Sequence, residues 1–247
     1  MAKLIVYEGS PRSSGWSTGV TAALVGVLSF DDLAEQRWAL KEVLTQVHAV
    51  VLDVADLRVQ HGPAVHLFST ALLAAGGWPS VRLVLLRPGG RLAAALKTTG
   101  VVRDVHVADN IDCALIKLRT RPPRVSRRRW LQANVSARRQ SRAMVNAVCH
   151  DWRVSHLAAG ARTVVTELVD NAIEPARAAA VLKVTLDDAG LRIALRDFRS
   201  IEIAELQSDT SPGQTLQRVS HISDSCGVTP LSDGKIVWVV LKNRAER

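Results

Sequence analysis

The chain has 247 residues, 47% hydrophobic and 22% charged, with 15 glycines and 9 prolines. This composition excludes collagen-like, low-complexity and wholly disordered proteins and leaves room for one large domain or two small ones. Three cysteines, Cys113, Cys149 and Cys226, form no CxxC pair, so spacing suggests neither a disulfide framework nor a zinc site; three reduced thiols are expected. The opening MAKLIVYEGSPRSSG has no apolar core of signal-peptide length, and no run reaches the ~20 apolar residues of a membrane span, so a cytoplasmic protein that does not enter the membrane is expected.

The net charge of +9 is unevenly placed. Residues 1–118 carry 11 basic and 10 acidic side chains, residues 119–143 carry nine arginines and no acid, and residues 144–247 carry 12 and 13. The basic excess therefore belongs to one short segment rather than to a broad face on either side of it.

In chain order, the first strands are predicted at 3–7 (LIVYE) and 20–27 (VTAALVGV). Leu33, Leu40, Val43, Leu44 and Val47 then make one stripe of a helix, and Ser29 with Asp32 resembles its N-terminal cap. A strand at 49–54 follows, then a helix starting at Pro63 and stopping at Gly76-Gly77, since proline suits a first helical turn and glycine a helix end. Strands at 81–86 and 104–107 alternate with helices at 90–99 and 109–118, the order of an α/β sheet covered by helices.

The segment from Arg119 to Arg129 contains adjacent prolines and repelling arginines, which oppose both helix and sheet. It is expected to be a linker over 119–132 between domains at 1–118 and 133–247. Arg127, Arg128 and Arg129 beside Trp130 also raise a second possibility, contact with nucleic-acid phosphates with the indole stacked on a base. A solvated linker is the ordinary account of such a run, and docking on an acidic protein is a third.

Beyond the linker, long helices are predicted at 136–152 and 157–174, with Met144, Val145, Val148 and Trp152 on one face of the first. A hairpin of strands 180–187 and 191–196 turns at Asp188-Ala189-Gly190; a helix at 213–224 precedes a second hairpin, 226–231 and 235–241, turned at Ser232-Asp233-Gly234. Helices on one face of a largely antiparallel sheet make an α+β sandwich.

The second long helix carries Thr166-Glu167-Leu168-Val169-Asp170-Asn171-Ala172-Ile173. Glu167 and Asn171, four apart, share a face one turn from each other, so a carboxylate and a carboxamide point together. Such a pair can ligate phosphate-bound magnesium and polarise a hydroxyl; it can equally be a solvated polar face.

ELVDNAIEPA resembles the N box of the GHKL (Bergerat) nucleotide-binding fold, specifically of the anti-sigma factor serine kinases, an HATPase family. CGVTPLSDGKIVWVVL is similar to their final hairpin and ARRQSRAMVNAVCHDW to their first helix, covering about 132–242. The resemblance implies ATP and magnesium as cofactors, Asn171 as the magnesium ligand, Glu167 as catalytic base, Asp197 as acceptor for the adenine amino group, and Gly213 as the remnant of the later glycine box. The chain departs from the family after Asp197, where Asp197-Phe-Arg-Ser-Ile201 replaces a D-x-G-x-G run, and at Gly213-Gln214-Thr215-Leu216, which replaces G-x-G-L; Arg199 stands where it can offset phosphate charge or simply face solvent.

In the first domain, the element order with HAVVLDVADLRVQHGPAV resembles a STAS domain, the fold of anti-sigma factor antagonists, across 18–118. There the family carries an aspartate, a phosphorylatable serine, a small hydroxyl residue and a glycine after the third strand; the matching residues are Val59, Gln60, His61 and Gly62. Gln60 has no hydroxyl, so the implied phosphoserine switch is absent. His61 can pack, cap the loop or take a phosphoryl group, and Ser69 and Thr70 lie further along the helix.

Together these readings imply a regulator of sigma-factor partner switching, a STAS-like module joined to a kinase-like or pseudokinase module. The candidate partners are a sigma factor, an anti-sigma or antagonist protein, the chain's own other module, or a second copy forming a homodimer. The alternatives are an active serine kinase acting on a separate antagonist, and a nucleic-acid-binding protein.

Overall fold

A computed structural model describes residues 1–7, 19–173, 179–198 and 218–243. The chain divides into two compact units, Met1–Val125 and Ser126–Arg247.

The first unit is built on a sheet ordered β1 (Ala2–Tyr7), β2 (Gly19–Leu28), β3 (Ala49–Asp53), β5 (Arg82–Leu86), β6 (His106–Ala108), with β4 (Leu57–Val59) paired to the far end of β2. The β1 and β2 strands are antiparallel; the pairs β2–β3, β2–β4, β3–β5 and β5–β6 are parallel. Strands such as AVVLD and RLVLL are apolar almost throughout because both faces are covered. On one face Val50, Leu52, Leu83 and Leu85 pack with Leu40 and Leu44 of α1 (Leu33–Val47), Phe68 of α2 (His66–Ala74) and Leu92 and Leu96 of α3 (Gly90–Thr98). On the other, Val51, Val84 and Leu86 pack with Ala114 of α4 (Ile111–Lys117).

Two local expectations are corrected here. Asp32 does precede α1, but its carboxylate does not cap that helix. Oδ2 instead accepts from the Ser29 hydroxyl (2.9 Å), the Ser29 amide (3.2 Å) and the Ala2 amide (3.3 Å), tying the strand ends together and holding the carboxyl below its ordinary range, chiefly through the Ser29 hydroxyl. The three-residue strand β4, which sequence periodicity misses, is too short to show an alternation.

The expected linker is ordered too. Its first part is bonded into the first unit: the Arg124 amide donates to Arg103 O (2.7 Å), its guanidinium takes Asp104 in two bonds (2.6 and 2.7 Å), and His106 lies 3.3 Å from Thr120 O. Residues Val125–Leu131 form strand β7, an edge of the second sheet. Strand alternation removes the expected arginine repulsion: Val125 and Leu131 are buried, Arg127 turns to Asp151 (2.9 Å), and Arg128 and Trp130 stay exposed.

The second sheet runs β10 (Ser225–Leu231), β11 (Gly234–Leu241), β9 (Gly190–Asp197), β8 (Ala180–Asp187), β7, with the pairs β10–β11, β11–β9 and β8–β9 antiparallel. Its inward residues Leu182, Val184, Leu191, Ile193, Leu195, Val237 and Val239 are buried, as are Val145 and Val148 of α5 (Ala137–Asp151) and Val164, Val165 and Leu168 of α6 (Ala158–Ile173). The α6 helix packs on β9 and β11, and α5 on β8. Of the helix expected at 213–224, only its end lies within the described residues, where 218–220 are helical.

Candidate functional site

The α6 helix places Glu167 and Asn171 one turn apart, both partly exposed, while Leu168, Val169 and Ala172 are buried. Glu167 Oε2 accepts from Arg218 Nη1 at 3.3 Å, an exposed ion pair that contributes little to stability. The neighbouring Asp170 is paired with Arg138 of α5.

Asp197 ends β9 and is only 3% exposed. Its cross-strand neighbour is Lys235, 6% exposed, with Nζ 3.8 Å from Oδ2. Gly234 makes this register possible: at φ +148° its backbone passes so close to Asp197 that a Cβ would lie 2.1 Å from the Asp197 carbonyl oxygen. Neither Lys235 nor Arg218 was anticipated from the sequence. Lys235 carries a signal, however, since it shares the inward alternation of Val237, Val239 and Leu241, where a buried ammonium needs an anionic partner. Arg218 has none.

Arg199 and Gly213, the remaining residues implied by the GHKL resemblance, lie outside the described residues. For a nucleotide, then, the fit is one-sided. Asn171 and Glu167 offer partly exposed hard oxygens of the kind that suit magnesium bound to phosphate, whereas the Asp197 carboxylate, which an adenine amino group would need, faces an ammonium of the chain itself. Among the described residues no three His, Cys, Asp or Glu side chains converge to hold a metal.

The second candidate region follows β4. Gln60 is exposed, and its amide donates to Leu28 O (3.0 Å), which fixes the start of the loop. His61 is extended, and its carbonyl accepts from the Ala64 amide (3.0 Å) to begin the short 3-10 turn Gly62–Val65 that leads into α2. Its ring caps nothing; it stacks on Phe30 with centroids 4.9 Å apart and planes 13° from parallel. Phe30 is 53% exposed, so the pair forms an aromatic projection beside Gln60. Ser69 and Thr70 turn their hydroxyls to their own helix, donating to His66 O (3.2 Å) and Leu67 O (3.1 Å).

No family model matches the chain, and no curated protein matches it. Several solved structures resemble part of it, among them two anti-sigma factor antagonists. One is an anti-sigma factor antagonist from Mycobacterium paratuberculosis, 12% identical with a TM-score of 0.40, aligned over 49% of this chain and 96% of its own. The other is the anti-sigma factor antagonist SpoIIAA in its unphosphorylated form, 14% identical with a TM-score of 0.34, aligned over 47% of this chain and 96% of its own.

Proposed function

We propose that the chain is a regulator of the partner-switching kind that works by protein association. Its first unit acts as an antagonist-like STAS module whose docking loop, residues 60–65, carries Gln60 instead of a phosphorylatable serine. The observation that carries this reading is the exposed Phe30–His61 stack beside Gln60. An aromatic projection on a loop is suited to bury against a protein surface, and nothing at Gln60 can add the phosphate charge that would drive it off. Association is then constitutive. The second unit, covalently joined to the first, is one candidate partner for this loop. A separate anti-sigma protein, a sigma factor or a second copy of the chain would compete for the same loop. Hydrogen exchange across residues 58–76 in the wild type and in Phe30→Asp tests the reading, since loss of docking raises exchange in that loop.

A second reading, an ATP- and magnesium-dependent serine kinase of the GHKL type, is supported by the shared direction of Glu167 and Asn171 on α6. Bound ATP would supply the phosphoryl group for transfer to a partner's hydroxyl. In that reading Asn171 holds the metal through its amide oxygen, Glu167 accepts the hydroxyl proton, Arg199 and Gly213 belong to the phosphate end, and Asp197 must exchange Lys235 for the adenine amino group. Calorimetric titration with ATP and magnesium decides it.

A further inference from the structure

The face of the second sheet away from α5 and α6 has a composition unlike an ordinary solvated surface. Alternation sends the even-numbered residues of β7, β9 and β11 and the odd-numbered residues of β8 to this side, and the 2.9 Å bond between the Ser126 and Thr185 hydroxyls sets β7 beside β8 on it. It gathers Arg128, Trp130, Lys183, Arg192 and Trp238, the first four of them exposed. Arg192 lies over the Trp238 ring, 4.7 Å from its centroid, and the same indole lies close to Gly227, its cross-strand neighbour on β10. A Cβ at residue 227 would come within 2.7 Å of the ring, so glycine is what lets Trp238 lie flat and hold the guanidinium over it. Trp130, 56% exposed, stacks one side on Phe198 with centroids 5.3 Å apart.

Acidic groups on this face gather at its ends. Asp233, in the β10–β11 turn, takes Arg196 in two bonds of 3.0 and 2.8 Å, and Asp187 lies at the β8–β9 hairpin. The middle is cationic and flanked by an exposed aromatic plane. An acidic protein would satisfy the cations alone; an exposed indole beside them is satisfied by a polyanion that also carries flat, stackable rings.

We propose that this face of the sheet binds single-stranded nucleic acid, with Trp130 stacking a base and Arg128, Lys183 and Arg192 meeting phosphates. Of the arginine run noted in the sequence, Arg128 reaches this face together with Trp130; Arg127 and Arg129 alternate to the other side, where Arg127 is engaged with Asp151. Five strands about 4.8 Å apart give a platform roughly 19 Å wide, enough for more than one nucleotide.

The test is fluorescence anisotropy of a labelled 12-nucleotide single strand of mixed sequence with the intact chain, in low and moderate salt. Affinity should fall steeply as salt rises. The variant Arg128→Ala/Lys183→Ala/Arg192→Ala should weaken binding at least tenfold and flatten the salt slope by about 2. Trp130→Ala should weaken it about tenfold with the slope unchanged, and Trp130→Phe should restore most of the loss. These side chains are exposed, and thermal melting followed by circular dichroism confirms that each variant stays folded. Absence of salt-dependent binding, equal affinity of the triple variant, or equal affinity for a duplex of the same length overturns the proposal. Polyglutamate competing as well as the oligonucleotide, with Trp130→Ala indifferent, also overturns it and assigns the face to an acidic protein.

Discussion

Lys235 and Asp197 stand opposite each other on β11 and β9, both nearly buried, with 3.8 Å between ammonium nitrogen and carboxylate oxygen. Removing one partner leaves a buried charge without its counterion, which costs about 3–5 kcal/mol in comparable sites, whereas replacing both with apolar groups costs much less. Asp197→Asn and Lys235→Met should therefore each lower the urea midpoint strongly, while Asp197→Leu/Lys235→Met recovers much of the loss. Additive destabilisation in the double variant would show that the two groups do not act as a pair.

Cys149 on α5 is buried, and burial pushes its thiol up to about 11 from an ordinary value of 9.0. A folded value above the unfolded one means that the unfolded chain ionises first as pH rises. The stability associated with the neutral thiol is thus intact below pH 9 and is lost as pH climbs toward 11, by about 2–3 kcal/mol at most. Stability measured from pH 8 to 10.5 should fall more steeply in the wild type than in Cys149→Ala. At pH 8 iodoacetamide should modify the exposed Cys113 and spare Cys149; equal modification rates would contradict the burial of this thiol.

Asn171 and Glu167 bear on the kinase reading. If it holds, the wild type takes up ATP in the presence of magnesium, Asn171→Ala loses at least tenfold in affinity, and Glu167→Gln keeps nucleotide affinity while losing phosphoryl transfer. A titration without heat of binding to the wild type ends that reading and leaves association untouched.

Much of the first unit was legible because parallel strands covered on both sides read as unbroken apolar runs, as in AVVLD and RLVLL. The two hairpins of the second unit were legible from alternation and their glycine turns. What escaped had physical reasons. Just before β7, Pro122 and Pro123 followed by a run of arginines mimic a linker, and only the neighbouring strand reveals that alternate arginines leave by opposite faces. Asp32 lies where a cap belongs, yet Ser29 and Ala2 offer its carboxylate donors from outside the helix. At the candidate site, Glu167 and Asn171 could be placed on one helix face from spacing alone, but the engagement of Asp197 by Lys235 depends on a cross-strand register that spacing does not contain. The aromatic stack was hidden likewise, since Phe30 and His61 lie 31 positions apart in sequence and meet only when β4 aligns with the end of β2.

The association account is tested most directly by hydrogen exchange across residues 58–76 of the intact chain. Phe30→Asp should raise exchange there well above the wild type while leaving the buried strands β3 and β5 protected, because only a docked surface is lost. Identical exchange in the two proteins would mean that neither the chain itself nor a second copy covers the Phe30–His61 projection, and constitutive docking by the chain would be wrong.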